Sequence, residues 1–404
     1  MIDSPLLEIL LHGRRIGSIA RLDGDRSIFS LDRDYAQDAD RLTLSLAYKG
    51  DHGDLYDQPR SYQTKIEPFF SNLLPEGVLR EFLARRAGVK IVREYPLLAQ
   101  LGRDLPGAVQ AIPIEGIRVS DEFEEEDAAR RTADHALRFS LAGVQLKFTA
   151  IAAGGKHGGL AIPISGVGGD WIVKLPSARH LDVPENEFAA MQLAHRLGMD
   201  VPDIALLPIE KVSGLPNGIE QLGPTAFAIR RFDRSAEGPV HMEDFAQVFG
   251  IFADDKYENA SYGAILRVLA IETDETSVVE FVRRLTYSVL IGNGDMHLKN
   301  WSLIYLDGRH PTLSPAYDLL STLPYIPADV PALNFHRSRE WTDYSYALIE
   351  TLADRARLPS HLLVQTARET VERFDQLWSD EHQDLPFTPN VKLAIEAHRA
   401  RLAI

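Results

Sequence analysis

The chain has 404 residues, 45% of them hydrophobic and 25% charged; at about 100–200 residues per domain this builds two or three lobes with real cores and excludes a mini-protein, a coiled coil or a disordered tail. Lys and Arg number 43 against 58 Asp and Glu, and the resulting net charge of −15 repels polyanions, so unaided sequence-independent DNA binding is not expected. There is no cysteine, which excludes disulfides, thiolate zinc sites and cysteine nucleophiles.

In chain order, Leu6-Leu7-Glu8-Ile9-Leu10-Leu11 is interrupted by a carboxylate. It is also too short for a signal-peptide core or for a membrane span of about 20 residues, which points to a cytoplasmic protein with no membrane contact. Residues 1–50 alternate short apolar runs with turn signals at His12-Gly13, Asp23-Gly24 and Lys49-Gly50, the pattern of a small β-rich unit. The acidic run from Asp121 to Asp127 marks a boundary. Between about 137 and 235 short strands dominate: Trp171 to Leu175, stopped by Pro176, and Ala226 to Ile229 both have strand composition. Pro184 to Leu197 reads as a helix, with acidic residues at its positive end and Gly198 as its stop. From about 241 helical periodicity takes over. Val278, Val282, Leu285 and Val289 fall on one face of a helix that Gly292 and Gly294 end. A β-containing half followed by a helical half predicts an α+β, two-lobed layout.

The densest chemistry lies in Gly292-Asn293-Gly294-Asp295-Met296-His297-Leu298-Lys299-Asn300, which precedes a predicted hairpin over Leu303–Leu306 and Thr312–Ser314. Ala316-Tyr317-Asp318 follows the hairpin, so Asp295, Asn300 and Asp318 are set around one turn of chain. Hard oxygen ligands of these types suit magnesium, while a further carboxylate can orient a hydroxyl and accept its proton. The spacing of five residues from Asp295 to Asn300, with a second aspartate beyond a hairpin, matches the phosphoryl-transfer layout of protein kinases. Asp-x4-Asn alone is common; the hairpin and Asp318 give it weight. Lys174 sits in an apolar strand, where a charge needs a partner, and Glu185 or Glu187 on the next helix can supply one. The other reading of Lys174 is an edge-strand lysine whose head reaches water.

Taken together, Ser-x-Ala-Gly-x-Gln-x-Lys at 140–147, Asn-Gly-Asp-x-His-x-Lys-Asn at 293–300, Ala-Tyr-Asp-Leu-Leu at 316–320, Arg231-Phe232-Asp233-Arg234 and Glu243-Asp244-Phe245 resemble the HipA family of bacterial toxin serine/threonine kinases. The resemblance extends to Asn72-Leu73-Leu74-Pro75-Glu76-Gly77 and Gly102-Arg103-Asp104-Leu105-Pro106-Gly107. It implies ATP and Mg2+ as cofactors, with Asp295 as the catalytic residue and Asn300 and Asp318 as metal ligands. Ala142, Gly143, Val144, Gln145, Leu146 and Lys147 would cover the phosphates and Lys174 would contact them. Arg230, Arg231 and Phe232 would form the adenine hinge, with His297, Leu298, Lys299 and Tyr317 completing the nucleotide pocket. The family pattern often has a glutamate where Arg230 stands, which removes a side-chain adenine contact but not a main-chain one. Ser140 matches a serine that such kinases phosphorylate on themselves, with loss of the phosphate loop. The implied partners are a HipB-like helix-turn-helix antitoxin, through which alone DNA is reached, and a protein substrate such as an aminoacyl-tRNA synthetase.

These readings predict a two-lobed protein-kinase-like fold with a β-rich N-terminal subdomain over 1–110, a kinase N-lobe over 111–238 and a helical C-lobe over 239–404. Two rivals remain: a small-molecule phosphotransferase sharing the same loop, and an inactive antitoxin-binding corepressor. The β-rich N-terminal region favours a protein ligand over the first. The complete set of Lys174, Asp295, Asn300 and Asp318 speaks against the second.

Overall fold

A computed structural model of the chain describes residues 5–50, 54–55, 58–77, 80–81, 84, 88–114, 147–152, 159–161, 168–177, 180, 182–215, 221–381 and 384–404. Ser140, Ala142, Gly143, Val144, Gln145 and Leu146 lie outside the described residues, as does the acidic run at 121–127.

Strict alternation builds the first sheet. In β1 (Leu6–Leu11), Leu7, Ile9 and Leu11 are fully buried while the residues between them are half-exposed. β2 (Arg14–Leu22), β3 (Arg26–Leu31) and β4 (Ser61–Gln63) continue as an antiparallel meander, and β5 (Val109–Pro113) pairs with the free edge of β1. Helix α1 (Glu94–Leu101) covers this sheet, closing a core of Ile9, Phe69, Phe70, Leu97 and Leu98.

The second sheet runs in the order β10-β7-β6-β8-β11-β9, from β6 (Lys147–Ala152), β7 (Leu160–Ala161), β8 (Trp171–Lys174), β9 (Ile204–Pro208), β10 (Val212–Ser213) and β11 (Thr225–Arg230). β8 is therefore an interior strand with β6 and β11 on either side, which rules out the edge-strand reading of Lys174. Helix α2 (Val183–Arg196) packs beneath β9 and β11, one residue earlier than the predicted span.

A short ribbon, β12 (Arg234–Ser235) and β13 (Gly238–Pro239), leads into a three-stranded sheet of β14 (His241–Asp244), β15 (Ser302–Tyr305) and β16 (Thr312–Leu313), the last two being the predicted hairpin. Helices α3 (Tyr262–Glu272), α4 (Glu275–Ile291), α5 (Tyr346–Ala356), α6 (Ser360–Glu381) and α7 (Pro389–Arg399) are the long helices of this part of the chain. The predicted face of α4 is buried, with Val278, Val282, Leu285 and Val289 at 4% exposure or less. Asp274 caps its start by accepting from the Ser277 amide, and Gly292 ends it at φ +66°, a conformation that L side chains rarely take. No helix among the described residues is long and apolar enough to cross a membrane.

The first sheet is fastened to both other units. His241 on β14 is fully buried, its Nε2 lies 2.8 Å from the Leu44 carbonyl, and its ring stacks on Tyr305. Burial lowers its pKa from 6.5 to about 4. The unfolded chain thus binds the extra proton between these values, so His241's contribution is complete above pH 6.5 and is lost as pH falls through 4. About 3 kcal/mol of unfolding free energy is expected to disappear over that window. Denaturant unfolding measured from pH 7 to 4 should show a flatter slope in His241→Phe; an unchanged slope would exclude His241 as the source.

Candidate active site

Strand order decides the ion pairs of Lys174. The last residue of β8, it is 5% exposed, and its ammonium lies between the carboxylates of Glu187 on α2 and Asp318 beyond the hairpin. Glu185, two residues away on the same helix, instead accepts from the Thr225 hydroxyl. Two residues on an α-helix are about 200° apart, so only one of them can face the lysine. Burial opposes the Lys174 charge, but Asp318 and Glu187 outweigh it and hold the pKa above its ordinary value. Burial likewise opposes ionisation of Asp318; Lys147 and Lys174 outweigh it and keep this carboxyl far below the usual range. Lys147, the first residue of β6, stands 3.5 Å from Asp318 Oδ2. For Glu187 burial prevails and raises the pKa. Asp318 itself holds φ +54°, a backbone conformation uncommon for a residue other than glycine.

Asp295 follows α4 on a tight loop. Its carbonyl accepts from Asn300 Nδ2 at 2.7 Å, and its amide donates to Asn293 Oδ1 at 3.2 Å. The first bond holds the Asn300 amide through its nitrogen, so its oxygen is the atom of that side chain with a ligand's chemistry. The Asp295 side chain is 47% exposed, accepts from the Tyr257 hydroxyl at 2.7 Å on Oδ1, and lies 3.9 Å from His297 Nε2. Burial lowers the His297 pKa, which keeps the ring neutral beside it. Tyr317 donates to the Lys299 carbonyl at 2.9 Å, packs on Phe232 and thereby ties the segment before Asp318 to the 293–300 loop.

Of the remaining predicted nucleotide contacts, Leu298 is fully buried in the core and the Lys299 ammonium is taken by residues of other segments. The Lys299 ammonium donates to Asn72 O and Oδ1 and to Asp244 Oδ2, and stands 3.5 Å from Glu76. The hinge residues are unequal. The amides of Arg230 and Arg231 are taken by the Asp203 and Asp170 carbonyls, and the Arg231 guanidinium is bidentate on Asp233. Among the described residues, no hydrogen bond engages the Phe232 backbone.

Two segments with no assigned role prove to be seams. Asp104 and Gly107 meet Arg234 and Asp233: Arg234 Nη2 to Asp104 at 2.7 Å, and the Gly107 amide to Asp233 Oδ2 at 2.9 Å. A Cβ on Gly107 would come within 3.0 Å of the Met242 amide, so the close approach needs glycine. Asn72 meets Lys299 of the 293–300 loop, and Glu76 meets Lys256, 2.8 Å away. Nothing local in the sequence connects Tyr257 with Asp295.

Hard-oxygen donors at Asn300 and Asp318 suit magnesium. Among the described residues no three His, Asp or Glu side chains form a metal cage. A pair of donors is what an ion carried in with phosphates requires.

A mixed sheet with an interior lysine, a helix carboxylate paired to it, and a helical lobe presenting an Asp-x4-Asn loop define a two-lobed, protein-kinase-like fold. The same fold is found in the HipA chain of a Shewanella oneidensis HipA, HipB and operator DNA complex, at TM-score 0.72 and 22% identity over 98% of this chain and 96% of that one. Residues 7–112 match the HipA N-terminal domain and residues 139–378 the HipA-like C-terminal domain. The protein named "Putative kinase Y4dM" from Sinorhizobium fredii is 52% identical across 97% of this chain and 96% of its own length. The Shewanella oneidensis serine/threonine-protein kinase toxin HipA is 26% identical over 65% of this chain and 64% of its own. The chain belongs to the HipA family of kinases.

Proposed function

We propose that this chain is an ATP- and Mg2+-dependent serine/threonine protein kinase and the toxin of a bacterial toxin–antitoxin pair. The observation that carries the proposal is the buried Lys174–Glu187–Asp318 cluster, with Asn300 and Asp295 on the loop beside it. Bound ATP supplies the phosphoryl group, and magnesium neutralises its charge. Lys174 and Lys147 are the cations for the phosphates, Asn300 Oδ1 and the Asp318 carboxylate the ligands for the metal, and Phe232 the main-chain contact for adenine. Asp295 orients the acceptor hydroxyl and takes its proton.

The finer assignments rest on the family. A translation-related substrate such as an aminoacyl-tRNA synthetase, a HipB-like antitoxin and DNA contact only through that antitoxin fit the negative charge of the chain and its likeness to a HipA that was solved with HipB and operator DNA. The division at 110 and 238 is the matching proposal for its three units. The test is transfer from radiolabelled ATP by the purified chain, with and without the product of the neighbouring gene; no transfer in either case rejects the kinase.

Ser140 is proposed as the self-phosphorylation site and off switch. A phosphoserine adds about −1.5 to −2 charge beside a loop that must attract phosphate. Mass spectrometry after incubation with ATP is expected to find phosphate on Ser140 together with falling activity. Phosphate found only elsewhere rejects the assignment.

A further inference from the structure

Asp295 is a half-exposed carboxylate on a loop, and a base that takes a proton from an incoming hydroxyl must present one oxygen in a fixed direction. Within its own loop hydrogen bonds hold only the backbone of Asp295, through Asn293, Asn300 and the His297 amide. The one described hydrogen bond to its carboxylate comes from outside, from the Tyr257 hydroxyl to Oδ1 at 2.7 Å. Among the described residues, no hydrogen bond reaches Oδ2.

Tyr257 is held at several points. Arg339 Nη2 donates to the Tyr257 carbonyl at 2.5 Å, and the Leu298 amide reaches the Lys256 carbonyl at 3.3 Å. The neighbouring Lys256 ammonium is paired with Glu76, and the tyrosine ring sits edge-on to His297 with centroids 5.0 Å apart. Burial and the adjacent Asp295 charge push the phenol pKa up, so the hydroxyl stays a donor throughout the working range.

From this geometry we infer that Tyr257 is a positioning residue for phosphoryl transfer: its hydroxyl pins Asp295 Oδ1 and thereby leaves Oδ2 as the atom that receives the acceptor's proton. The inference rests on the reading of Asp295 as that base. It differs from a plug that merely occupies the acceptor position, which transfer would have to displace. Glu76 extends the arrangement into the N-terminal unit, because it anchors the lysine immediately before Tyr257.

Tyr257→Phe removes the hydroxyl and keeps the ring on His297. The experiment follows phosphate incorporation from radiolabelled ATP into the full-length chain over a range of ATP concentrations. Wild type, Tyr257→Phe and Asp295→Asn are compared, and a fluorescent ATP analogue reports binding in each. A displaced base costs about 10- to 100-fold in rate. That loss is expected at saturating ATP in Tyr257→Phe, with the half-saturating ATP concentration, analogue binding and melting temperature unchanged. An unchanged or faster rate in Tyr257→Phe, with Asp295→Asn inactive, overturns the positioning role, as does a rate loss matched by weaker nucleotide binding. Full activity in Asp295→Asn overturns instead the assignment of the base on which the inference stands.

Discussion

Asparagine in place of Asp295 is expected to abolish phosphoryl transfer while leaving the fold intact. The substitution keeps the side-chain shape and an oxygen that can accept from Tyr257, and the loop is held through backbone atoms that do not change. What it removes is the capacity to accept a proton, worth about 10²–10⁴ in rate for a positioned general base. Because the side chain is 47% exposed, the change in stability should stay within about 0.5 kcal/mol. Parallel measurement of radiolabel transfer and thermal unfolding checks both halves. Wild-type transfer by the variant would falsify the assignment.

Lys174→Met is expected to damage both stability and activity. It leaves Glu187 buried without its cation, and Asp318 with only Lys147 of its two. Removing one member of a buried ion pair costs about 3–5 kcal/mol, because the remaining charge is stranded away from water. The double variant Lys174→Met with Glu187→Gln should recover much of that stability, since the orphaned charge is gone. It should not recover transfer, because the cation proposed for the phosphates is still missing. Recovery of transfer along with stability would place Lys174 in the scaffold and outside the chemistry.

Much of this arrangement could be read from the residues in order, and the parts that could not have a common cause. The helix now seen at Val183–Arg196, the hairpin and the face of α4 are local, set by caps, glycine stops and periodicity within a few residues. Asp295, Asn300 and Asp318 were legible because a single hairpin separates them. The choice between Glu185 and Glu187 was not, because it depends on which strand lies above α2. The same holds for the interior position of β8. Tyr257 lies 38 residues before Asp295, and Asp104 lies 130 before Arg234. Such pairs are joined only by packing, and a sequence shows the two ends without the fold that closes them. The segments at 72–77 and 102–107 were conspicuous as motifs, yet their partners Lys299, Asp233 and Arg234 sit in other motifs, so nothing linked one to another.

The seams of the first sheet bear on how divisible the chain is. Two family domains, 7–112 and 139–378, suggest a protein that could be cut between them and studied in halves. The contacts say otherwise. A fragment starting after β5 would lose Asp104 from Arg234, Asn72 and Glu76 from Lys299, and the Ser45 hydroxyl and Leu46 amide from the buried carboxylate of Glu243. It would also uncover His241 and the Gly107 docking face. The 293–300 loop would then keep Asp244 as its remaining described partner for Lys299. The boundary in sequence is thus not a boundary in cohesion: the two family domains share one set of fastenings.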